Sequence, residues 1–269
     1  MSDDANVQSR GPAIVANLID GGVMQSCRTV AVIPARHAST RFPGKPLAII
    51  AGRTMIEHVW RRCQEAQAFD EVWVATDDDR IRAAVEGFGG KAVMTSPACA
   101  TGTDRVAEVA LGRPDIDIWV NVQGDEPLVD PATLQRLAGL FQDASVRMGT
   151  LVRPLEADEA ASPHVVKAVL ALNGDALYFS RSLVPHVREP GTPVQRWGHI
   201  GLYGYRREVL LSLAKLAPTP LEDAEKLEQL RALEHGIPIR CAKVTSHTVA
   251  VDLPGDVEKV EALMRARGG

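Results

Sequence analysis

Short apolar segments rich in β-branched residues alternate with amphipathic helical segments along the first half of this 269-residue chain. Apolar side chains recur at helical spacing in residues 53–66, 77–90 and 101–112. Connections of a few residues between such segments are typical of a doubly wound, mostly parallel sheet with helices on both faces. The predicted strands of this α/β fold are residues 28–35, 71–76, 91–96 and 117–123.

The pattern changes beyond about residue 149, where β-rich segments follow one another with few helices between them. This change favours an added, smaller and antiparallel β-rich region that serves as a lobe or as a dimer surface. The remaining predicted elements are helices at 207–216 and 221–236, strands at 237–244 and 248–253, and a last helix with Pro254 in its first turn.

These patterns divide the chain into three parts. Residues 1–26 begin with acidic residues, lack the basic start of a signal peptide, and are expected to form a mobile N-terminal extension. Residues 27–148 and 206–269 are expected to form one nucleotide-binding α/β core, and residues 149–205 the β-rich region.

The overall charge restricts the partners of this chain. It carries 30 Lys and Arg against 34 Asp and Glu, a net charge of −4. Proteins that coat nucleic acid or anionic lipid need a basic surplus over one face, so we expect neither partner. No apolar run approaches the ~20 residues that a membrane helix needs. The cysteines lack metal-binding spacing and fit reduced thiols in a cytoplasmic protein: Cys27, Cys63, Cys99 and Cys241.

Basic residues gather directly after the first predicted strand. Arg36, Arg41 and Lys45 fall within ten residues, next to Gly44. Ligands of open parallel sheets bind beyond the carboxyl ends of the strands, where fixed donors can replace the water around phosphate oxygens. The segment therefore predicts a triphosphate site. It lacks the Walker A and G-x-G-x-x-G patterns, since Pro46 follows Lys45, and this disfavours an ordinary kinase or a dehydrogenase.

Two carboxylates are candidates for a cation site opposite these bases. Asp125 follows the apolar strand at 117–123, and Asp252 ends an apolar segment just before Pro254. Mg²⁺ prefers one or two carboxylates together with phosphate oxygens and water. We therefore predict that Asp125 and Asp252 bind Mg²⁺. The alternative for Asp252 is that it caps the last helix.

The helix at 101–112 begins with a third candidate segment. Thr101 or Thr103 can cap this helix. Gly102 leaves room for a ligand to approach the backbone closely, and Asp104 and Arg105 would then lie near that ligand. The capping and the ligand-binding interpretations are compatible.

Eight segments, taken in order from about Thr29 to the C-terminus, resemble the CMP-Kdo synthetases, or 3-deoxy-manno-octulosonate (Kdo) cytidylyltransferases. The strings are long and specific as a set. They read IPARHASTRFPGKPL, VATDDDRI, GTDRVAEV, VNVQGDEPLVDP, ALYFSR, HIGLYGYR, LEQLRALEHG and VDLPGDVEKV.

This resemblance implies a Rossmann-like nucleotidyltransferase fold and a homodimer formed through the β-rich region. It implies Mg²⁺-dependent transfer of CMP from CTP to the anomeric hydroxyl of Kdo, with release of pyrophosphate. The implied catalytic residues are Arg36, Arg41, Lys45 and Asp125. The implied CTP-binding residues are Ala35, Arg36, Lys45, Thr76, Gly102, Thr103, Asp104 and Arg105. The implied acceptor-binding residues are Arg41, Gln123, Arg181, His199, Tyr203, Glu228 and Gln229.

The residue pattern leaves alternatives open in the acceptor half. His199 and Tyr203 stand four apart in a predicted strand and share one face, which suits a structural role equally well. His164 and His186 also depart from the family pattern. The alternatives are CMP transfer to another sugar acid or to a phosphonate, uridylyl or guanylyl transfer, and a regulator that binds nucleotide without catalysis. The two predicted metal ligands disfavour the regulator.

Overall fold

The predicted strands assemble into one nine-stranded sheet within the part of the chain that a computed structural model describes, residues 27–38, 41–189, 191–246 and 249–267. Two short strands pair separately with each other. The strands are β1 (Thr29–Ala35), β2 (Ile49–Ile50), β3 (Arg53–Thr54), β4 (Glu71–Thr76), β5 (Lys91–Met94), β6 (Ile118–Asn121), β7 (Met148–Pro154), β8 (Lys167–Leu170), β9 (Ala176–Ser180), β10 (Trp197–Arg206) and β11 (Ile239–Lys243).

Most strands of this sheet run in the same direction. The main path is β11-β7-β10-β6-β1-β4-β5. β1 pairs in parallel with β4 and β6, β4 with β5, and β7 with β11. β10 is antiparallel to both of its neighbours, β6 and β7, so it alone in the main path is reversed. β8 and β9 branch from β10 as an antiparallel pair. The mostly parallel sheet with an added antiparallel part is confirmed.

Helices cover both faces of the sheet. Along β1, Val30 and Val32 pack into a core with α3, α5 and α7, while Ala31 and Ile33 pack into a second core with α1, α2 and α4. A strand buried on both faces explains the unbroken apolar run that begins the first strand. The helices are α1 (Met55–Glu65), α2 (Asp79–Gly87), α3 (Gly102–Leu111), α4 (Pro131–Gly139), α5 (Arg207–Leu213), α6 (Pro220–Glu225), α7 (Gln229–Glu234) and α8 (Asp256–Arg267).

The single helix predicted for residues 221–236 is wrong. The chain forms α6 and α7 instead, and Lys226 between them adopts a left-handed conformation with φ 52°. A left-handed residue cannot continue a right-handed helix, so α6 ends there. Because both segments have helical periodicity, the sequence pattern does not reveal the break between them.

The strand predicted at residues 248–253 is also wrong where the structure describes it, at residues 249–253. Val251 uses its backbone N–H and carbonyl for hydrogen bonds to two loops instead of to a neighbouring strand. Its N–H donates to the carbonyl of Asp125 at 2.9 Å, and its carbonyl accepts from Nζ of Lys45 at 3.0 Å. The segment therefore joins the loops at the carboxyl ends of β1 and β6 rather than an edge of the sheet.

The predicted β-rich region contributes in two ways. Most residues of β7 and β10 belong to this region, and both strands lie in the main sheet, whereas β8 and β9 branch from it. The division at residues 149–205 stays a prediction, and the predicted extension, residues 1–26, lies outside the described residues. Among the described helices, none combines the length and apolar character needed to cross a bilayer.

We expect Gly204→Ala to lower the free energy of unfolding by about 2 kcal/mol through overpacking. A Cβ at this position of β10 would overlap Cε2 of Phe141 and lie 2.9 Å from its Cζ. Urea denaturation would measure the loss. Gly201→Ala is the matched control on the same strand, because a Cβ there meets no atom within 4 Å. Equal losses for the two variants would contradict this packing argument.

Candidate active site

A cavity of about 420 Å³ opens at the carboxyl ends of β1 and β6. Cationic side chains from the loop after β1 line one wall, and the start of α3 and the loop after β6 complete it. This is the edge at which open parallel sheets bind ligands. The lining residues are Pro34, Ala35, Arg36, Ala38, Arg41, Lys45, Pro46, Cys99, Thr101, Gly102, Arg105, Gln123, Gly124 and Asp125.

Lys45 connects the basic wall of this cavity to both predicted metal ligands. Its Nζ lies 2.7 Å from Oδ2 of Asp125 and 3.7 Å from Oδ1 of Asp252. Arg41 approaches the same Asp252 oxygen at 3.2 Å. The predicted cations and carboxylates therefore converge on one crevice. The N–H groups of Asp252 and Leu253 donate to the carboxylate of Asp256, the first residue of α8, and among the described contacts of the Asp252 carboxylate none supports the alternative that it caps this helix.

The negative charge at this crevice comes mainly from two side chains. Glu126, beside Asp125, is buried, and burial together with the Asp125 charge raises its pKa to about 8. A carboxyl group with that pKa is mostly protonated at neutral pH. Among the described residues, no group of three or more His, Cys, Asp or Glu side chains lies close enough together to hold a metal ion by itself. Any cation held here would depend on Asp125, Asp252 and oxygens from its ligand.

The start of α3 is capped by local hydrogen bonds, and it packs closely against Pro34 of β1. Thr101, not Thr103, caps the helix: its hydroxyl accepts from the N–H of Asp104, whose carboxylate accepts in turn from the N–H of Thr101. A Cβ on Gly102 would lie 3.1 Å from Cγ of Pro34, so only glycine fits this close approach without displacement. The capping box and Gly102 thus fix the helix terminus at the cavity wall.

Five of the eight predicted CTP-binding residues line the first cavity. Arg105 is one of them, and its guanidinium pairs with Asp77 at 3.0 Å and with the hydroxyl of Thr95. Thr76 is buried, and its hydroxyl accepts the N–H of Asp78, so it lies behind the wall. The lining residues are Ala35, Arg36, Lys45, Gly102 and Arg105, whereas Thr76, Thr103 and Asp104 are not among them.

Cys99 also lines the first cavity, which the sequence did not predict. Its thiol donates to a carboxylate oxygen of Glu108 at 2.9 Å. Burial and this contact raise the pKa of the thiol to about 11. The residue therefore presents a neutral S–H group to the cavity at neutral pH.

A second cavity of about 200 Å³ adjoins the first, and Gly102 and Gln123 line both. Its walls come from the start of α3, the ends of β6 and β10, and the junction of α6 and α7. The lining residues are Gly102, Thr103, Asn121, Gln123, Met148, Tyr203, Tyr205, Leu213, Glu228, Gln229, Arg231 and Ala232.

Four predicted acceptor-binding residues line the second cavity: Gln123, Tyr203, Glu228 and Gln229. Arg41 lines the first cavity instead. Arg181 lines neither; its guanidinium donates to the carbonyls of Glu225 at 2.7 Å and Pro163 at 3.0 Å, which anchors the chain after β9.

His199 stands behind the second cavity rather than in its lining. Its ring contacts Phe179 and Tyr203 with centroids 4.9 and 5.5 Å apart, and its Nε2 lies 2.9 Å from the hydroxyl of Thr150. Burial lowers the pKa of His199 to about 3, so the ring is neutral and packs against Tyr203.

Ionisable and aromatic side chains line the second cavity. Burial raises the pKa of Glu228, while a hydrogen bond from Thr103 opposes that shift. Arg231 is matched by Glu222, whose two oxygens lie 2.5 and 2.7 Å from its guanidinium nitrogens. The rings of Tyr203 and Tyr205 stack with centroids 6.1 Å apart. The cavity is thus polar, and the cation in its lining is already paired.

Three lining residues of the second cavity that carry polar groups were missed: Asn121, Tyr205 and Arg231. Asn121 carries the only usable signal, because it is an amide at the end of the apolar run Ile118–Val120, two residues before Gln123. In the sequence pattern, Tyr205 and Arg231 cannot be told from ordinary strand and helix residues. Their role in the lining depends on how β10 and α7 pack.

We expect His199 to make the protein less stable as the pH falls. The unfolded chain binds a proton at this histidine near pH 6.5, whereas the folded chain does so only near pH 3, so stability is lost between these values. Between about pH 7.5 and about pH 5, the wild type should lose about 2 kcal/mol more unfolding free energy than His199→Gln. Urea titrations at both pH values measure this difference. Parallel pH dependence would contradict the buried neutral ring.

The comparisons with known proteins agree with this geometry. A sequence model of the family described as "Cytidylyltransferase" matches residues 30–241. Proteins named 3-deoxy-manno-octulosonate cytidylyltransferase are similar to the chain. The one from Geobacter metallireducens is 51% identical over 245 residues, 87% of this chain and 96% of its own length. The one from Nitratidesulfovibrio vulgaris (strain Hildenborough) is 52% identical over 243 residues, 88% and 96% of the two chains.

Solved structures extend the similarity to three dimensions. A structure of CMP:2-keto-3-deoxy-manno-octonic acid synthetase complexed with CTP aligns with a TM-score of 0.85 and 45% identity, covering 89% of this chain and 99% of that chain. A cytidylyltransferase from Leptospira borgpetersenii, 16% identical with a TM-score of 0.60, covers 89% of this chain and 87% of its own and shares the fold. The chain therefore belongs to the cytidylyltransferases, within the family of 3-deoxy-manno-octulosonate cytidylyltransferases.

Proposed function

We propose that this chain transfers CMP from CTP to the anomeric hydroxyl of Kdo and releases pyrophosphate. One observation carries the proposal: a cavity lined by cations adjoins a smaller polar cavity whose Arg231 is already paired with Glu222, and Gly102 and Gln123 line both. Relatives that share about half of its residues are named for Kdo. These names favour Kdo over a phosphonate or a different sugar acid as the acceptor.

The first cavity suits the triphosphate. Arg36, Arg41 and Lys45 present cationic donors, and the α3 terminus at Gly102 adds backbone N–H groups. We assign CTP binding to this wall together with Ala35 and Arg105. Thr76, Thr103 and Asp104 then support the wall from behind or beside it.

The second cavity suits the acceptor. Gln123, Tyr203, Glu228 and Gln229 offer hydrogen-bonding groups to a hydroxylated ligand. We assign to His199 a positioning role through its contact with Tyr203, and to Arg181 a positioning role through the chain after β9. Arg41 lines the adjacent wall, where it can meet the carboxylate of the acceptor.

The residues present fit a Mg²⁺ ion. The carboxylates of Asp125 and Asp252 already converge on a single positive charge, the Lys45 ammonium, and carboxylate oxygens are the ligands that Mg²⁺ prefers. We propose that Asp125 and Asp252 would hold the ion. When bound, it would neutralise phosphate charge and make a nearby hydroxyl more acidic.

The protein residues supply positioning and charge stabilisation for the reaction. The acceptor hydroxyl attacks the α-phosphorus in line with the departing pyrophosphate, and no covalent enzyme intermediate is needed. Arg36, Arg41 and Lys45 stabilise the negative charge that grows on the leaving group. Because the two cavities adjoin, an acceptor in the second would lie beside a triphosphate in the first, which would lower the entropic cost of the encounter.

Asp125→Asn should reduce turnover by at least ~100-fold because it removes a carboxylate from the charged crevice. Pyrophosphate release with CTP, Kdo and Mg²⁺ is the measurement, and a chelator should abolish it in the wild type. Replacing CTP by UTP or GTP tests the base preference. Asp143→Asn is the control, because Asp143 lies before the start of β7 and is 54% exposed. Wild-type release with a phosphonate and none with Kdo would refute the assigned acceptor.

We also propose a cytoplasmic homodimer formed through residues 149–205. Large apolar side chains are exposed in this region, including Leu172, Leu177 and Leu183. Exposed apolar side chains gathered in one region are typical of protein interfaces. The free thiols among the described residues support a reducing compartment.

Leu177→Asp should weaken this dimer because a charge would be buried at the interface. Light scattering should give roughly twice 29.0 kDa for the wild type and a value nearer the monomer for the variant. Leu111→Asp is the control, since Leu111 is equally exposed, at 60% against 63%, but lies at the end of α3. A monomeric wild type would exclude the dimer.

A further inference from the structure

Two amide side chains in the second cavity are buried and lack a protein partner for one atom each. Asn121 is 2% exposed and its Oδ1 has no hydrogen-bond donor within reach. Gln229 is 6% exposed and its Nε2 has no acceptor. Both line the same cavity. One atom is an acceptor and the other a donor, so the pair is chemically complementary to a group that can do both.

Such atoms destabilise a fold unless something binds them. A buried polar atom left without a partner costs about 1–3 kcal/mol. The strand residues before Asn121 are Ile118, Trp119 and Val120, all fully buried, so an apolar residue would suit the end of β6 better than an amide. The protein tolerates this cost at a cavity wall, which indicates that a ligand completes the hydrogen bonds.

The charges around the two cavities define which part of an acidic acceptor can lie here. Three cations from the loop after β1 line the first cavity, and of these Arg41 and Lys45 pair with Asp252 and Asp125, whereas Arg36 has no carboxylate partner among the described residues. In the second cavity the Arg231 guanidinium is already paired with both carboxylate oxygens of Glu222, and the lining offers no other cation to a carboxylate. The carboxylate of the acceptor therefore favours the first cavity, and its hydroxylated end favours the second.

We propose that Asn121 is a specificity-determining residue whose amide, together with that of Gln229, binds a hydroxyl group at the end of the acceptor remote from its carboxylate. A hydroxyl can donate to Oδ1 of Asn121 and accept from Nε2 of Gln229 at the same time. This inference rests on the proposed function and names a determinant of acceptor choice within it.

Steady-state pyrophosphate release with CTP and Kdo tests the inference with two variants. Asn121→Ala removes the amide without adding bulk, and Asn121→Leu replaces it by an apolar group of similar size. Each should raise KM for Kdo at least ~10-fold and leave KM for CTP within about twofold. Asn121→Leu should unfold at a urea concentration no lower than the wild type, because the amide makes no protein bond through Oδ1. Val120→Ala is the control, since Val120 belongs to the core on the opposite face.

Kdo analogues that each lack one hydroxyl of the side chain give a second measurement. The wild type should discriminate against one of them, and the Asn121→Ala variant should lose that discrimination, which a purely structural role would not produce. Wild-type turnover of Kdo with unchanged KM in both variants would overturn the inference and leave the proposed function intact. A wild type that releases no pyrophosphate with Kdo would overturn the proposed function and the inference with it.

Discussion

The Lys45 ammonium is the interaction on which the active-site edge of this protein depends. It joins the loop after β1 to Asp125, 80 residues later, and to the carbonyl of Val251, 206 residues later. Its side chain is only 16% exposed, and a charge so poorly hydrated needs partners close by. The requirement draws the C-terminal segment onto the sheet edge and removes it from strand pairing. The ion pair also holds together Lys45 and Asp125, which both line the first cavity.

The sequence allowed the α/β alternation and the charged crevice to be predicted for physical reasons. Strand and helix periods are local, so β1, α1 and β4 could be located from the sequence. Because ligands of open parallel sheets bind beyond the carboxyl ends of the strands, Lys45 could then be predicted to lie opposite Asp125. Long-range packing could not be read in the same way. The reversal of β10, which carries Tyr205 into the second cavity, and the left-handed Lys226 both depend on tertiary contacts.

On the proposed function, the two adjoining cavities would divide the recognition of two anionic substrates between them. The first offers positive charge and backbone donors, while the second offers hydroxyl and amide groups around a carboxyl group whose pKa is raised. Two like-charged ligands side by side repel one another, and the cations between them reduce that cost. On the proposed function, the paired Arg231 leaves the carboxylate of the acceptor to the first cavity, so the reactive end of the acceptor would point toward the phosphates.

Cys99 shows how a reactive residue type can be tolerated in the wall of a nucleotide site. Thiol alkylation and oxidation proceed through the thiolate, and a pKa of about 11 leaves about one thiol in ten thousand ionised at neutral pH. Burial and the Glu108 carboxylate therefore keep the proton on the sulfur of Cys99. The site should resist inactivation by electrophiles and peroxides that would consume an exposed thiolate.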